Sequence, residues 1–159
     1  MLFKQINRTD AEKVFIICRN TSGATLAANL PVYFETDAVS DGNAVSQMIA
    51  TAHGTNLFAG INDASLADDA YGMVQVYGYR ASVVTLAVSS TFSVTPGNRL
   101  VGVAGAAYLA YGTVLSGGSS TELLLSPVND KYVLAMETIA SAAAGSTTTG
   151  NCKAFIRAL

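Results

Sequence analysis

Acid–base chemistry in this chain would rest on a single histidine, His53, which stands directly before Gly54. A catalytic base needs an orienting partner and a nucleophile within reach. No Gly-x-Ser-x-Gly elbow supplies the nucleophile, so His53 reads as a turn residue at a strand end. Asp68 and Asp69 are neighbours, and on an extended chain they point to opposite sides and form no carboxylate pair. Asp63 and Asp68 could meet on a loop as a weak Ca²⁺ site or a glycosidase pair. Calcium loops, however, place oxygen ligands at alternate positions, which this stretch does not do, and a solvated acidic loop is the preferred reading. Cys18, Cys152 and His53 are too few and too scattered for zinc. Gly102-x-x-Gly105 fits neither a dinucleotide fingerprint nor a phosphate loop. Tyr71, Tyr77, Tyr79, Tyr108 and Tyr111 could stack on a sugar, but tyrosines on strands are more often half-buried sheet or interface residues. The sequence predicts no enzyme, no catalytic residue, no cofactor and no metal.

The elements that must carry these residues are short strands. Tyr71-Gly72-Met73-Val74-Gln75-Val76-Tyr77-Gly78-Tyr79 reads as a strand, followed by a bend at Gly78 and a second strand from Ala81 to Val88. Val74 and Val76 point one way, and Met73, Gln75, Tyr77 and Tyr79 the other. A strand wetted on one face should alternate polar and apolar residues, and this one barely does. A second sheet or another protein chain is therefore expected to cover both sides. Further strands are expected at Val14–Arg19, Leu30–Glu35, Val45–Ala52, Leu57–Ile61, Thr91–Val94, Arg99–Val103, Ala107–Leu115, Lys131–Ala140 and Cys152–Leu159, punctuated by Gly, Asn, Ser and Pro. Pro96-Gly97-Asn98 predicts a type II turn. Asn62–Ala70 reads as a loop or a single helical turn. No helical stripe persists and no internal repeat is visible. The expected fold is all-β with little helix: a single-domain antiparallel β-sandwich, jelly-roll or barrel-like structure over residues 14–159. Residues 1–13 are expected to form an N-terminal arm, and residues 141–150, built from Ala, Ser, Thr and Gly, a flexible loop.

Charge and composition narrow the function classes. Charged residues are 13% of the 159, about half the usual share, while apolar residues reach 50%. Either Ser, Thr and Asn furnish the exposed face, or the subunit hides much of its surface in an obligate oligomer or larger particle, the reading preferred here. A net charge of −2 favours neither nucleic acid nor an anionic membrane as partner. Lys4, Arg8, Lys13 and Arg19 precede a stretch without Lys or Arg that holds Glu35, Asp37, Asp41, Asp63, Asp68 and Asp69. The basic arm of one copy meeting the acidic middle of another, or ordinary surface charge, both fit. The charged residues of the first thirteen interrupt any signal-peptide core. Leu100–Leu115 is too short and too Gly-interrupted to span a bilayer. Cys18 and Cys152 are expected to be reduced core thiols unless the terminal strands pair.

The order of these pieces resembles the capsid decoration, or cement, proteins of tailed bacteriophages. The resemblance rests on Val14–Arg19, Asn20-Thr21-Ser22-Gly23 and Leu30-Pro31-Val32-Tyr33, then on Leu57-Phe58-Ala59-Gly60-Ile61, a polar loop and Tyr71–Gly78. Pro96-Gly97-Asn98-Arg99-Leu100 and the closing Phe155-Ile156-Arg157 complete it. It implies a β-rich subunit, commonly trimeric, made in the host cytoplasm and seated on the outer face of the virion, where it binds the major capsid protein and bridges capsomers. The family offers no catalytic residues to carry over. Candidate oligomer or capsid contacts are Leu2, Phe3, Lys4, Ile6 and Arg8 of the arm, with Tyr71, Met73, Gln75, Tyr77 and Tyr79. A carbohydrate- or receptor-binding β module using the tyrosines and the Asn62–Ala70 loop is the alternative.

Overall fold

The computed structural model describes residues 12–36, 42–47, 57–88, 94–102, 107–111, 132–139 and 147–158, with residues 86–88, 111, 147 and 148 described by their backbone alone. The described residues contain nine strands and no α-helix: β1 (Lys13–Asn20), β2 (Pro31–Phe34), β3 (Ala44–Ser46), β4 (Phe58–Asn62), β5 (Tyr71–Val88), β6 (Arg99–Gly102), β7 (Leu109–Tyr111), β8 (Tyr132–Ala135) and β9 (Thr147–Arg157). The all-β expectation holds. They form one sheet in the order β1-β3-β2-β4-β5-β7-β6-β8-β9, with β5 additionally paired to both β1 and β9. The sheet therefore closes on itself twice, into two five-stranded rings that share β5. The pairings are antiparallel except β1–β3 and β5–β7, which are parallel.

Period-2 patterning decides which side chains go inside. On β9, Cys152, Ala154 and Ile156, with Ala158 just beyond it, are buried, while Lys153 and Arg157 are exposed. Cys18, Leu26, Val32, Val45, Ala59, Leu66 and Val74 fill the first ring. The second core joins Val83, Leu100, Leu109, Val133 and the inward row of β9 with Tyr33, Phe58 and Ile61 of the first ring. Tyr33 is thus the bridge between rings. A Cβ on Gly102 would collide with the Tyr33 hydroxyl and ring edge, so β6 needs a glycine where the tyrosine enters.

The two rings are the same structure used twice. Replacing β1, β2, β3, β4 and β5 by β5, β6, β7, β8 and β9 reproduces the strand order and every pairing sense. The registers transfer as well. Pro31 opposite Ile61 becomes Arg99 opposite Leu134, Asn62 opposite Val74 becomes Ala135 opposite Ala154, and Phe34 opposite Val45 becomes Gly102 opposite Leu109. The isolated bridge Leu26–Leu66 recurs as Val94–Ile139. In the turn before the second strand, Asn29 N–H donates to the Asn62 carbonyl at 2.9 Å, and Gly97 N–H donates to the Ala135 carbonyl at 2.8 Å. Asn29 and Gly97 both have positive φ, 67° and 87°. The structure therefore corrects the absence of a repeat read from the sequence: β5 ends the first unit and begins the second.

Several boundaries also move; among them, Lys131–Ala140 shortens to β8 at Tyr132–Ala135 and Val45–Ala52 gives β3 at Ala44–Ser46, with residues 48–52 outside the described part. Lys13 belongs to β1 rather than to an arm; the arm residues 1–11 lie outside the described part. Residues 147–150, expected in the flexible loop, open β9, and 141–146 lie outside the described residues. Tyr71–Val88 is one strand of 18 residues instead of two. Its register against β1 slips between Val14 and Phe15, leaving Val76 extra on β5. Gly78 takes φ 101° beside the slip, where a Cβ would meet the Glu12 carbonyl oxygen.

Candidate functional site

At the middle of β5, Arg80 is buried and its guanidinium is fully engaged. It forms an ion pair with Asp63 at 2.8 Å and donates to Asn29 Oδ1 at 2.8 Å from one terminal nitrogen and 3.1 Å from Nε. Further bonds run to Gln75 Oε1 and to the carbonyls of Asn62, Asp63 and Ser82. A planar fork with five donors suits such a crowded set of acceptors. The group ties the Asn29 turn, the end of β4 and the centre of β5 together, so its role is structural.

This hub explains Gln75. Expected at an interface, it is instead almost wholly buried: its amide donates to the carbonyls of Tyr77 and Tyr79 and its oxygen accepts from Arg80. Its place among the contact candidates is corrected accordingly. Tyr77 and Tyr79 are half-buried, and the Tyr77 ring packs edge-on to Phe155 with centroids 5.2 Å apart. Leu2, Phe3, Lys4, Ile6 and Arg8 lie outside the described residues, as does His53.

Tyr71 and Met73 are on the surface, 61% and 52% exposed, and β1 adds Ile17 at 69%. Ile17 lies directly opposite Met73, and Arg19 opposite Tyr71, so these four share one face. Phe15 extends the row, and Val14 lies opposite Tyr77; both are exposed at their margins. The result is a continuous apolar strip along the β1–β5 pair. Arg19 and Asp69, paired at 2.8 Å and side by side, close one end of it. Sequence reasoning found the β5 half and missed the β1 half. The signal was present, because Val14-Phe15-Ile16-Ile17-Cys18 is apolar on both faces, as the Tyr71–Tyr79 unit largely is.

Asn20 and the carboxylates of the Asn62–Ala70 loop are likewise committed to the fold. Asn20 Oδ1 accepts from Ser22 N–H at 3.0 Å, and its amide donates to the carbonyls of Ala24, Leu66 and Ala67. In the acidic middle, Asp68 accepts from Gly23 N–H, Asp69 pairs with Arg19 and Asp63 with Arg80, so three of those charges are met within the chain. These bonds hold the Asn62–Ala70 loop against the first ring. A shallow polar depression of about 270 Å³ lies beside it, lined by Thr21, Ser22, Ala24, Glu35, Ser46 and Gln47. Among the described residues no three His, Cys, Asp or Glu side chains converge on a metal-sized site. Cys18 and Cys152 are buried free thiols in different cores. Burial pushes Cys18 up to about 11 and raises Cys152 and Tyr33 as well. At the surface the Lys153 backbone N–H and ammonium lower the Glu137 carboxyl.

No family model matches the chain, and no curated protein matches it.

Proposed function

We propose that this chain is a structural protein of a virion, which decorates the head of a tailed bacteriophage and stabilises it by bridging capsomers. It acts as a homo-oligomer, a trimer in line with the family it resembles, bound to the major capsid protein on the outer surface after synthesis in the host cytoplasm. The observation that carries the reading is the exposed strip of Ile17, Tyr71 and Met73 on a doubly closed sheet. Contiguous apolar surface on a rigid scaffold calls for a protein partner. The rigidity matters, because a pre-ordered surface loses little conformational freedom on docking. Many such contacts across a shell add by multivalency, so none has to be tight alone. The buried polar groups support the same reading, since Arg80, Asn20 and Gln75 serve the fold and face no open site.

The test is co-sedimentation of the purified protein with undecorated heads from its source. Saturable binding, with heads that then withstand higher temperature before releasing DNA, is the expected result. Failure to bind any such head removes the decoration reading.

A further inference from the structure

The repeat supplies a control inside the molecule for what the strip is for. Carrying the registers across, Tyr71 corresponds to Asn151 and Met73 to Lys153, while Ile17 falls at the irregularity of β5 between Arg80 and Val83, where Ala81 and Ser82 stand. The second unit thus carries an amide and an ammonium at the positions of Tyr71 and Met73, and Asn151 and Lys153 are exposed there. The scaffold does not require apolar side chains at these positions. Their presence in the first unit serves something other than its fold.

We propose that the Ile17–Tyr71–Met73 strip is the contact between copies of this chain. The inference rests on the assembly reading above and says which of the two partners the strip faces. Three observations favour a second copy over the shell. The rim carries both signs side by side, Arg19 and Asp69, with side chains 43% and 70% exposed. The two already pair with each other yet stay partly exposed, so a second copy, which carries both signs, meets this rim without a like charge opposed, whereas a partner of one charge sign would leave one of them opposed. Two facing strips would cover four large apolar side chains per copy, Phe15, Ile17, Tyr71 and Met73, that are otherwise 36–69% exposed, which supplies the apolar centre of a specific contact. The strip is also continuous with a contact already made: the row Phe15–Gln75–Ile61 runs across β1, β5 and β4 from the exposed face into the core shared by the two units. The first unit thus buries one part of its outer face against its repeat and presents the rest to another molecule.

The experiment gives the first unit the residues of the second. Sedimentation velocity at micromolar concentration should show the unaltered protein at a multiple of its 16.4 kDa mass. Ile17→Ser/Tyr71→Asn/Met73→Lys should sediment as a monomer with the same circular dichroism and a melting temperature within a few degrees. Arg19→Glu, which leaves the strip intact, provides a second reading should the triple variant not fold: self-association at least tenfold weaker. Oligomers that persist in the folded variants overturn the proposal. A monomeric parent that binds heads, and loses that binding in the triple variant, also overturns it and assigns the strip to the shell. A parent whose assembly the variants abolish, but which binds no head, upholds the self-contact and rejects the decoration reading alone.

Discussion

At the scale of single residues, Arg80 is the side chain on which most depends. Its neighbours include a carboxylate, two amide oxygens and three carbonyls. Arg80→Met strands all of them, and stability to urea should fall by about 3–5 kcal/mol, as when one partner of a buried pair is removed. Arg80→Lys keeps the charge but not the fork, and should recover only part of that loss. The buried thiol of Cys18 makes a separate prediction. Its pKa in the folded protein is raised from 9.0 to about 11, so the folded state resists its ionisation while the unfolded state does not. The stability this represents is complete below pH 9.0 and is lost as pH rises towards 11. Unfolding free energy should decline by about 2 kcal/mol through that window, and Cys18→Ala should flatten the decline. Glu137 acts with the opposite sign: its lowered pKa gives a contribution present at neutral pH and lost on acidification. It lies partly exposed at the surface, where solvent screens the pair, so the effect is small.

At the scale of elements, the contact between Tyr33 on β2 and Gly102 on β6 sets how the two rings meet. Among the described residues the Tyr33 hydroxyl has no hydrogen-bond partner, although it is buried. Tyr33→Phe should therefore cost nothing or raise stability by up to about 1 kcal/mol. Gly102→Ala should destabilise, and Tyr33→Phe should recover part of that loss in the double variant, because the hydroxyl is the nearest atom to the added methyl. Additive effects of the two changes would show that the rings do not meet this way. The strands themselves were legible from local pattern. The alternation of Cys152 to Ala158 assigned the faces of β9, and Pro96-Gly97 makes the turn it promised, with Asn98 N–H donating to the Thr95 carbonyl at 3.0 Å. The repeat was not legible. Equivalent positions carry Pro31 and Arg99, Phe34 and Gly102, Asn29 and Gly97, and their spacing changes from 68 residues at Pro31 and Arg99 to 80 at Val74 and Ala154. What the two units share is hydrogen-bond register, which many sequences satisfy. Gln75 escaped for a related reason: alternation placed it beside Met73, and only the fold reveals Arg80 drawing it inward.

At the scale of the whole molecule, sharing β5 has a consequence for cooperativity. Two repeats joined by a linker can open one at a time, as nearest-neighbour units do. Here complete unfolding of the first ring strips β1 and β4 from β5, and complete unfolding of the second strips β7 and β9 from the same strand. The Arg80 hub and the Tyr33 contact add side-chain coupling across the junction. Cys18 and Cys152 report on the two cores separately, one buried in each. The labelling of each thiol by a disulfide reagent under native conditions, followed in Cys152→Ala and Cys18→Ala respectively, measures the opening of its ring. With the rings coupled, both thiols should react through the same global unfolding, with opening free energies that agree within about 1 kcal/mol once each variant's own stability is subtracted. In the Arg80→Met background the two values should separate, since the shared strand then loses the group that ties it to the Asn29 turn and β4. If Cys18 and Cys152 open independently in the parent protein, β5 is a linker in energetic terms, and the two rings are separate folding units despite their common strand.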